Sequence, residues 1–243
     1  MFTAIIGDIH GNLEALDAVL EDAKEQGVST FACLGDIVGY GADPNACCER
    51  VRALGCPVVR GNHDHAVSHR VPLGWFNPVA AAAIRWTRKM VSAENREWLR
   101  GLPLKTSIAD AQLVHASLDA PSKWNYLYPG EDPLSHFAKQ TSRLCFCGHT
   151  HVPVVFVSAA DRVFVADLAS FRVGPEDEAK LAVNPGAVGQ PRDGNPAAAY
   201  LLFDPATGTL IPRRVPYDVE TAARKIREAG LPGFLAKRLR IGH

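Results

Sequence analysis

Carboxylates and imidazoles gather in short, glycine-flanked segments of this 243-residue chain. Asp8 and His10 lie in GDIHG, Asp36 in GDIVGYG, and Asn62, His63 and Asp64 in GNHD. His115 ends AQLVH, and His149 and His151 lie in GHTH after LCFC. These side chains ligate metals and carry protons. Mixed nitrogen and oxygen donors suit manganese, iron, cobalt, nickel or zinc, whereas magnesium and calcium prefer oxygen. Asp and His at i and i+2 reach one space when the backbone is extended. A single carboxylate such as Asp36 can bridge two cations. Two divalent ions bring about +4, offset by Asp8 and Asp36, which leaves roughly +2 for a hydroxide and an anionic substrate. That balance points to phosphate esters rather than amides or sugars. Each histidine taken alone reads as structural; together, in this order, they read as a two-metal site.

The elements that must position these groups are legible. Residues 2–7, 30–35 and 57–60 are short apolar runs, and helices are expected over Leu13 to Gln26 and Pro44 to Leu54. Asn12 and Asp43 cap those helices, with Pro44 at a first helical position. Strand–helix–strand–helix–strand is the pattern of a parallel sheet, whose carboxyl ends converge on one ligand-binding rim. Residues 77–100 read as helical with a second start at Ser92, 111–115 as a strand, and 119–135 as a long loop. Strands follow at 142–147, 152–158, 162–167, 179–183, 198–203 and 209–215, several in hairpins. The tail over 217–239 is helical with a break at Gly230 to Gly233.

Composition excludes other classes. Hydrophobic residues are 47% and charged residues 21%, a globular balance rather than a disordered one. The formal net charge is zero, so a general nucleic-acid or acidic-membrane surface is not favoured. No apolar run approaches the ~20 residues of a membrane span, and MFTAIIGDIHG lacks the basic start of a signal peptide. Six cysteines without a CxxC pair read as buried free thiols of a reducing compartment, which places the chain in the cytoplasm. His65 and His69 read as surface or supporting groups, and His136 and His243 as solvated.

The ordered series GDxHG, GDxxG, GNH(D/E), a lone His and GHTH, over residues 7–151, resembles the calcineurin-like metallophosphoesterase superfamily. The resemblance implies an α/β four-layer sandwich of two mixed β-sheets flanked by helices. One domain would cover 1–243, with a lid or cap at about 65–141. One metal would be held by Asp8, His10, Asp36 and His151, and the other by Asp36, Asn62, His115 and His149. His63 would be the catalytic acid, and Asp64 would orient it. The protein Ser/Thr phosphatase branch carries GDxVDRG and GNHE, so GDIVGYG and GNHD disfavour it. The chain looks closer to small bacterial phosphodiesterase-like members, which also carry a segment like VNPGAVGQPRDG at 183–194. By that likeness Asn184, Gly186, Gln190 and Arg192 would approach phosphate.

The expected activity is hydrolysis of a small-molecule phosphate ester, a nucleotide-like diester or monoester. A hydroxide bridging two divalent ions would attack in line, and His63 would protonate the departing oxygen. Free N–H groups at the Asn12 helix start favour an anion. Trp124, Tyr126 and Tyr128 either stack on a base or aryl group or plug the loop onto the core. Alternatives are a dinucleoside polyphosphate hydrolase, a protein phosphatase, or a non-catalytic scaffold on the same fold. The complete ligand set speaks against the scaffold. Oligomeric state is left open.

Overall fold

The computed structural model describes residues 1–128, 133–159, 162–168 and 179–243. The chain opens with β1 (Thr3–Ile6), α1 (Leu13–Glu25), β2 (Thr30–Cys33) and α2 (Pro44–Ala53). Asn12 caps α1 by accepting from the Ala15 amide at 3.2 Å. Asp43 stands at the N-cap of α2 without a capping bond; its carboxylate accepts from Lys225 instead. The run at 57–60 forms only a parallel bridge between Val58 and Cys33. Pro57 has no N–H to give, and the chain turns at Gly61 into α3 (Asn62–His69). Next come α4 (Pro78–Met90) and α5 (Ala93–Gly101), with the second start at Ser92, whose hydroxyl accepts from the Asn95 amide.

Strands β3 (Lys105–Ile108) and β4 (Ala111–Val114) precede α6 (Leu134–Lys139) and β5 (Leu144–Phe146). The hairpin of β6 (Val154–Ala159) and β7 (Arg162–Ala166), then β8 (Lys180–Asn184), complete one sheet in the order β3-β4-β5-β8-β6-β7. With β9 (Ala198–Asp204) and β10 (Thr209–Val215), the other sheet runs β10-β9-β1-β2. Both are mixed: β1 pairs parallel with β2 and antiparallel with β9, while β5 pairs parallel with β4 and β8. Helices α7 (Val219–Glu228) and α8 (Gly233–Leu239) end the chain, divided where the break at Gly230 to Gly233 is expected.

Alternation along the strands sets the layers. Ala4 and Ile6 pack toward Leu16 and Val19 of α1 and Val51 of α2. Ile5, between them, faces Leu113, Phe146 and Val183 of the second sheet. The far face of that sheet presents Val114, Cys145 and Phe156 to Leu127 and to Phe137 of α6. All six cysteines are free thiols; Cys33, Cys47, Cys48, Cys145 and Cys147 are buried as expected, whereas Cys56 is only half-buried. Among the described residues, no helix is long and apolar enough to cross a membrane.

His136 corrects the expectation of a solvated side chain. It is buried in α6, and its Nδ1 accepts from the Leu118 amide at 3.1 Å. Of the segment expected as a lid, 65–141, β3 and β4 are sheet strands; parts of 70–77 and 122–126 line a cavity.

Candidate metal centre and its cavity

Three loops leave the carboxyl ends of β1, β2 and β5 and meet the end of β4 and the start of α3. The turns are tight. Asp8, His10, Asp36, Tyr40, His149 and His151 all have φ between 49° and 72°. The ligand pairs therefore converge through left-handed turns, not through the extended backbone that their i, i+2 spacing suggests. Non-glycine residues hold such φ values only where surroundings over-determine them. Here they do: Asp8 Oδ2 accepts from the His149 amide at 3.0 Å, and Asp36 Oδ1 from the His63 amide at 2.8 Å. Gly61 is required beside them, because a Cβ there would overlap Asp36 Oδ1.

Two groups of ligand atoms result, Asp8 with His10 and His151, and Asp36 with His115 and His149. Asp36 Oδ2 lies between them, 3.6 Å from His10 Nε2 and 3.4 Å from His115 Nε2. Asn62 Oδ1 and His149 Nδ1 are each 3.2 Å from His115 Nε2. A third group joins His63 to His10 and Asp36. The seven expected ligands are thus brought together.

The donor set fits divalent ions. His10 Nδ1 faces the Val38 carbonyl at 3.2 Å and His151 Nδ1 the Gln190 carbonyl at 2.6 Å. A carbonyl accepts only, so both Nδ1 atoms carry the proton and both Nε2 atoms carry lone pairs. Those Nε2 atoms stand 3.1 Å apart, a repulsive pair unless a cation lies against both. Burial pushes both imidazoles well below their ordinary range, which favours the neutral form that a metal ligand needs. Asp8 Oδ1 is buried with no hydrogen-bond partner. Burial pushes the Asp8 carboxyl up to about 7. Burial works to lower His115, but the Asp36 charge overcomes it and raises the group to about 9.

Asp64 does not orient His63. Its Oδ1 accepts from the amides of Ile37 and Val38, at 2.9 and 3.2 Å, and its Oδ2 from Gly61 at 3.0 Å. It ties the start of α3 to the loop after β2, because those amides have no strand partner there. His63 Nδ1 is buried without a partner, and the ring is held by neighbours instead. Tyr40 and Phe76 flank it at centroid distances of 4.5 and 5.3 Å. A Cβ on Gly39 would overlap the imidazole. Burial holds His63 down to about 4.

A cavity of about 750 Å³ opens over this floor, lined by Asp36, Asn62, His63, His149 and His151. Arg192 lines it too, its guanidinium 5.9 Å from the Tyr40 ring and bonded to Gln190 Oε1 at 3.0 Å. Trp124 lies 6.0 Å from His115, and Tyr126 stacks on His149 at 4.0 Å. Tyr128 stacks on Tyr126. Asn12, expected to bind substrate, is buried and does not line the cavity; its amide is donated to the Gly189 carbonyl and the Tyr217 hydroxyl. Asn184 braces the GHTH turn, donating to the Gly148 carbonyl and Thr150 Oγ1. Tyr40, Phe76 and Trp75 are cavity residues that sequence reasoning missed. For Tyr40 the signal was its place between Gly39 and Gly41, just after Asp36.

Residues 1–208 match the calcineurin-like phosphoesterase superfamily domain, and the chain belongs to that superfamily. An uncharacterized protein of Methanocaldococcus jannaschii, MJ0912, is 41% identical over 98% of this chain and 97% of its own. A metallophosphoesterase structure from Sphaerobacter thermophilus superposes with a TM-score of 0.86 at 39% identity, covering 100% of this chain and 99% of that one. A symmetrical bis(5′-nucleosyl)-tetraphosphatase of Glaesserella parasuis is 33% identical over 49% of this chain and 45% of its own.

Proposed function

We propose that this protein hydrolyses small nucleotide-like phosphate esters at a two-cation centre. The observation that carries this reading is the two ligand groups with Asp36 Oδ2 between them, on the floor of a cavity that also holds His63 and Arg192. Asp8, His10, Asp36 and His151 would hold one ion, and Asp36, Asn62, His115 and His149 the other. Divalent ions bound there supply Lewis-acid charge to the phosphoryl group and lower the pKa of water.

The chain's own groups bind and position. Arg192 offers a guanidinium to phosphoryl oxygen, and Gln190 holds it in place. His63 sits beside the ligand groups with its ring fixed by Tyr40 and Phe76, in place to carry a proton to the departing oxygen. Burial disfavours its charged form, and an anionic substrate beside the ring would favour it.

A second reading, hydrolysis of dinucleoside polyphosphates, is supported by the Glaesserella relative and by two cationic side chains, Lys123 and Arg192, lining one cavity. The experiment is a substrate panel with manganese, iron, cobalt, nickel, zinc or magnesium, before and after chelation. Phosphomonoesters, phosphodiesters and dinucleoside polyphosphates are compared by kcat/KM. Turnover that survives verified metal removal, or no turnover of any phosphate ester, overturns the reading.

A further inference from the structure

The aromatic side chains around the cavity divide into two kinds. Phe76 stands edge-on to His63, Trp124 lies against His115 and His65, and Tyr126 stacks on His149. Each braces a residue of the site. Trp75 lines the same cavity from the connection between α3 and α4, yet it is 97% exposed. A tryptophan buries 150–250 Å² when it packs, and stacks readily on flat rings. Trp75 forgoes that burial, and among the described residues it stacks on no ring.

Polar groups with spare capacity line the cavity as well. Asn77 uses its Oδ1 to cap α4 through the Ala80 amide at 2.9 Å, which leaves its Nδ2. Ser122 and Asn125 are exposed side chains of the segment that carries Trp124. Amides and hydroxyls suit a ring with hydrogen-bonding edges better than a plain aryl group. Arg192 and His63 lie on the floor side, where phosphate belongs.

We infer that Trp75 is the stacking surface for a nucleobase carried by the substrate, and so a specificity-determining residue of this cavity. The inference rests on the phosphoesterase reading for the placement of the phosphate, but base stacking by itself does not require turnover. Because Trp75 is outside the core, its replacement leaves packing intact.

The test uses two esters that differ only in the base, adenosine 5′-(methyl phosphate) and ribose 5-(methyl phosphate), on the metal-loaded protein. The ratio of their kcat/KM values is read for wild type, Trp75→Ala and Trp75→Phe. Trp75→Ala is expected to lower the ratio about tenfold, within the range of one lost base–aromatic stack, and Trp75→Phe to keep most of it. Calorimetric binding of adenosine 5′-monophosphate against ribose 5-phosphate gives a readout without turnover. The advantage of the adenosine compound should disappear in Trp75→Ala. Unchanged ratios and unchanged binding preference in Trp75→Ala overturn the inference. A wild-type protein that hydrolyses neither ester nor any member of the substrate panel, yet prefers the adenosine compound through Trp75, sinks the phosphoesterase reading and leaves the stacking intact.

Discussion

Asp36 Oδ2 is the carboxylate oxygen that comes nearest to both ligand groups, 3.6 Å from His10 Nε2 and 3.4 Å from His115 Nε2. Asp8 Oδ1 is nearest to His151, at 3.4 Å, and stands farther from His10 and His115, at 3.9 and 4.0 Å. Asp36→Asn should therefore lower the content of both metals, and Asp8→Asn mainly that of one, by elemental analysis of protein purified in parallel. Two tightly held ions per chain in Asp36→Asn would remove the bridging role. His63 offers a sharper distinction, because it lies in the site without belonging to either expected ligand set. His63→Ala should keep both metals and lower kcat by about 10²–10⁴, the usual worth of a positioned acid. The loss should grow with the pKa of the leaving group, since nitrophenolate departs without a proton and an alkoxide does not. A flat ratio of wild-type to variant rates across leaving groups would assign His63 to phosphoryl charge instead.

Elements differ in how openly the sequence declares them. Helix α1 is plain from Asn12 and its apolar spacing, and the start of α5 from Ser92, because caps and amphipathic faces are local signals. The site was legible for the same reason: its ligands sit at the ends of short apolar runs between glycines. Strand β3 was not, since Lys105, Thr106 and Ser107 give an edge strand little apolar alternation. Asp64 misled because its role is set by unpaired amides of the loop after β2, distant in sequence. Trp75 gave no pattern at all. Helix α6 hides behind a proline, and with it His136, which burial holds at about 4. An unfolded histidine titrates near 6.5. Between those values the unfolded chain binds more protons, so this group's contribution is present above about 6.5 and is lost as pH falls toward 4. A shift of that size corresponds to ~3 kcal/mol. Asparagine can keep the acceptor for the Leu118 amide without titrating. Denaturant unfolding of wild type and His136→Asn from pH 4 to 7.5 should show a shallower acid decline in the variant; parallel curves would contradict a buried neutral imidazole.

At the scale of the molecule, the centre joins two sheets that already pack without it. Ile5 and Leu201 of one sheet, with Leu34 just past β2, meet Leu113, Phe146 and Leu181 of the other in an apolar layer. Ligands come from both sides of that contact: Asp8, His10 and Asp36 follow strands of one sheet, and His115, His149 and His151 follow strands of the other. Ions held between them would act as a cross-link, not as the source of the fold. A chain of this length buries enough surface to fold by its apolar core, unlike a small domain whose folding energy is its metal's binding energy. Binding to the native state alone adds ~4 kcal/mol per site at a free-ion concentration of 1,000 Kd, and a domain of this size gains about 2–4 °C for each kcal/mol. Chelation should therefore leave the far-ultraviolet circular dichroism at 25 °C almost unchanged, lower Tm by roughly 8 °C or more, and abolish turnover. Reloading manganese, iron, cobalt or nickel should restore both. Collapse of the dichroism on chelation would mean that the sheets need the ions to meet, and a Tm indifferent to removal and reloading would mean that these seven side chains hold no ion.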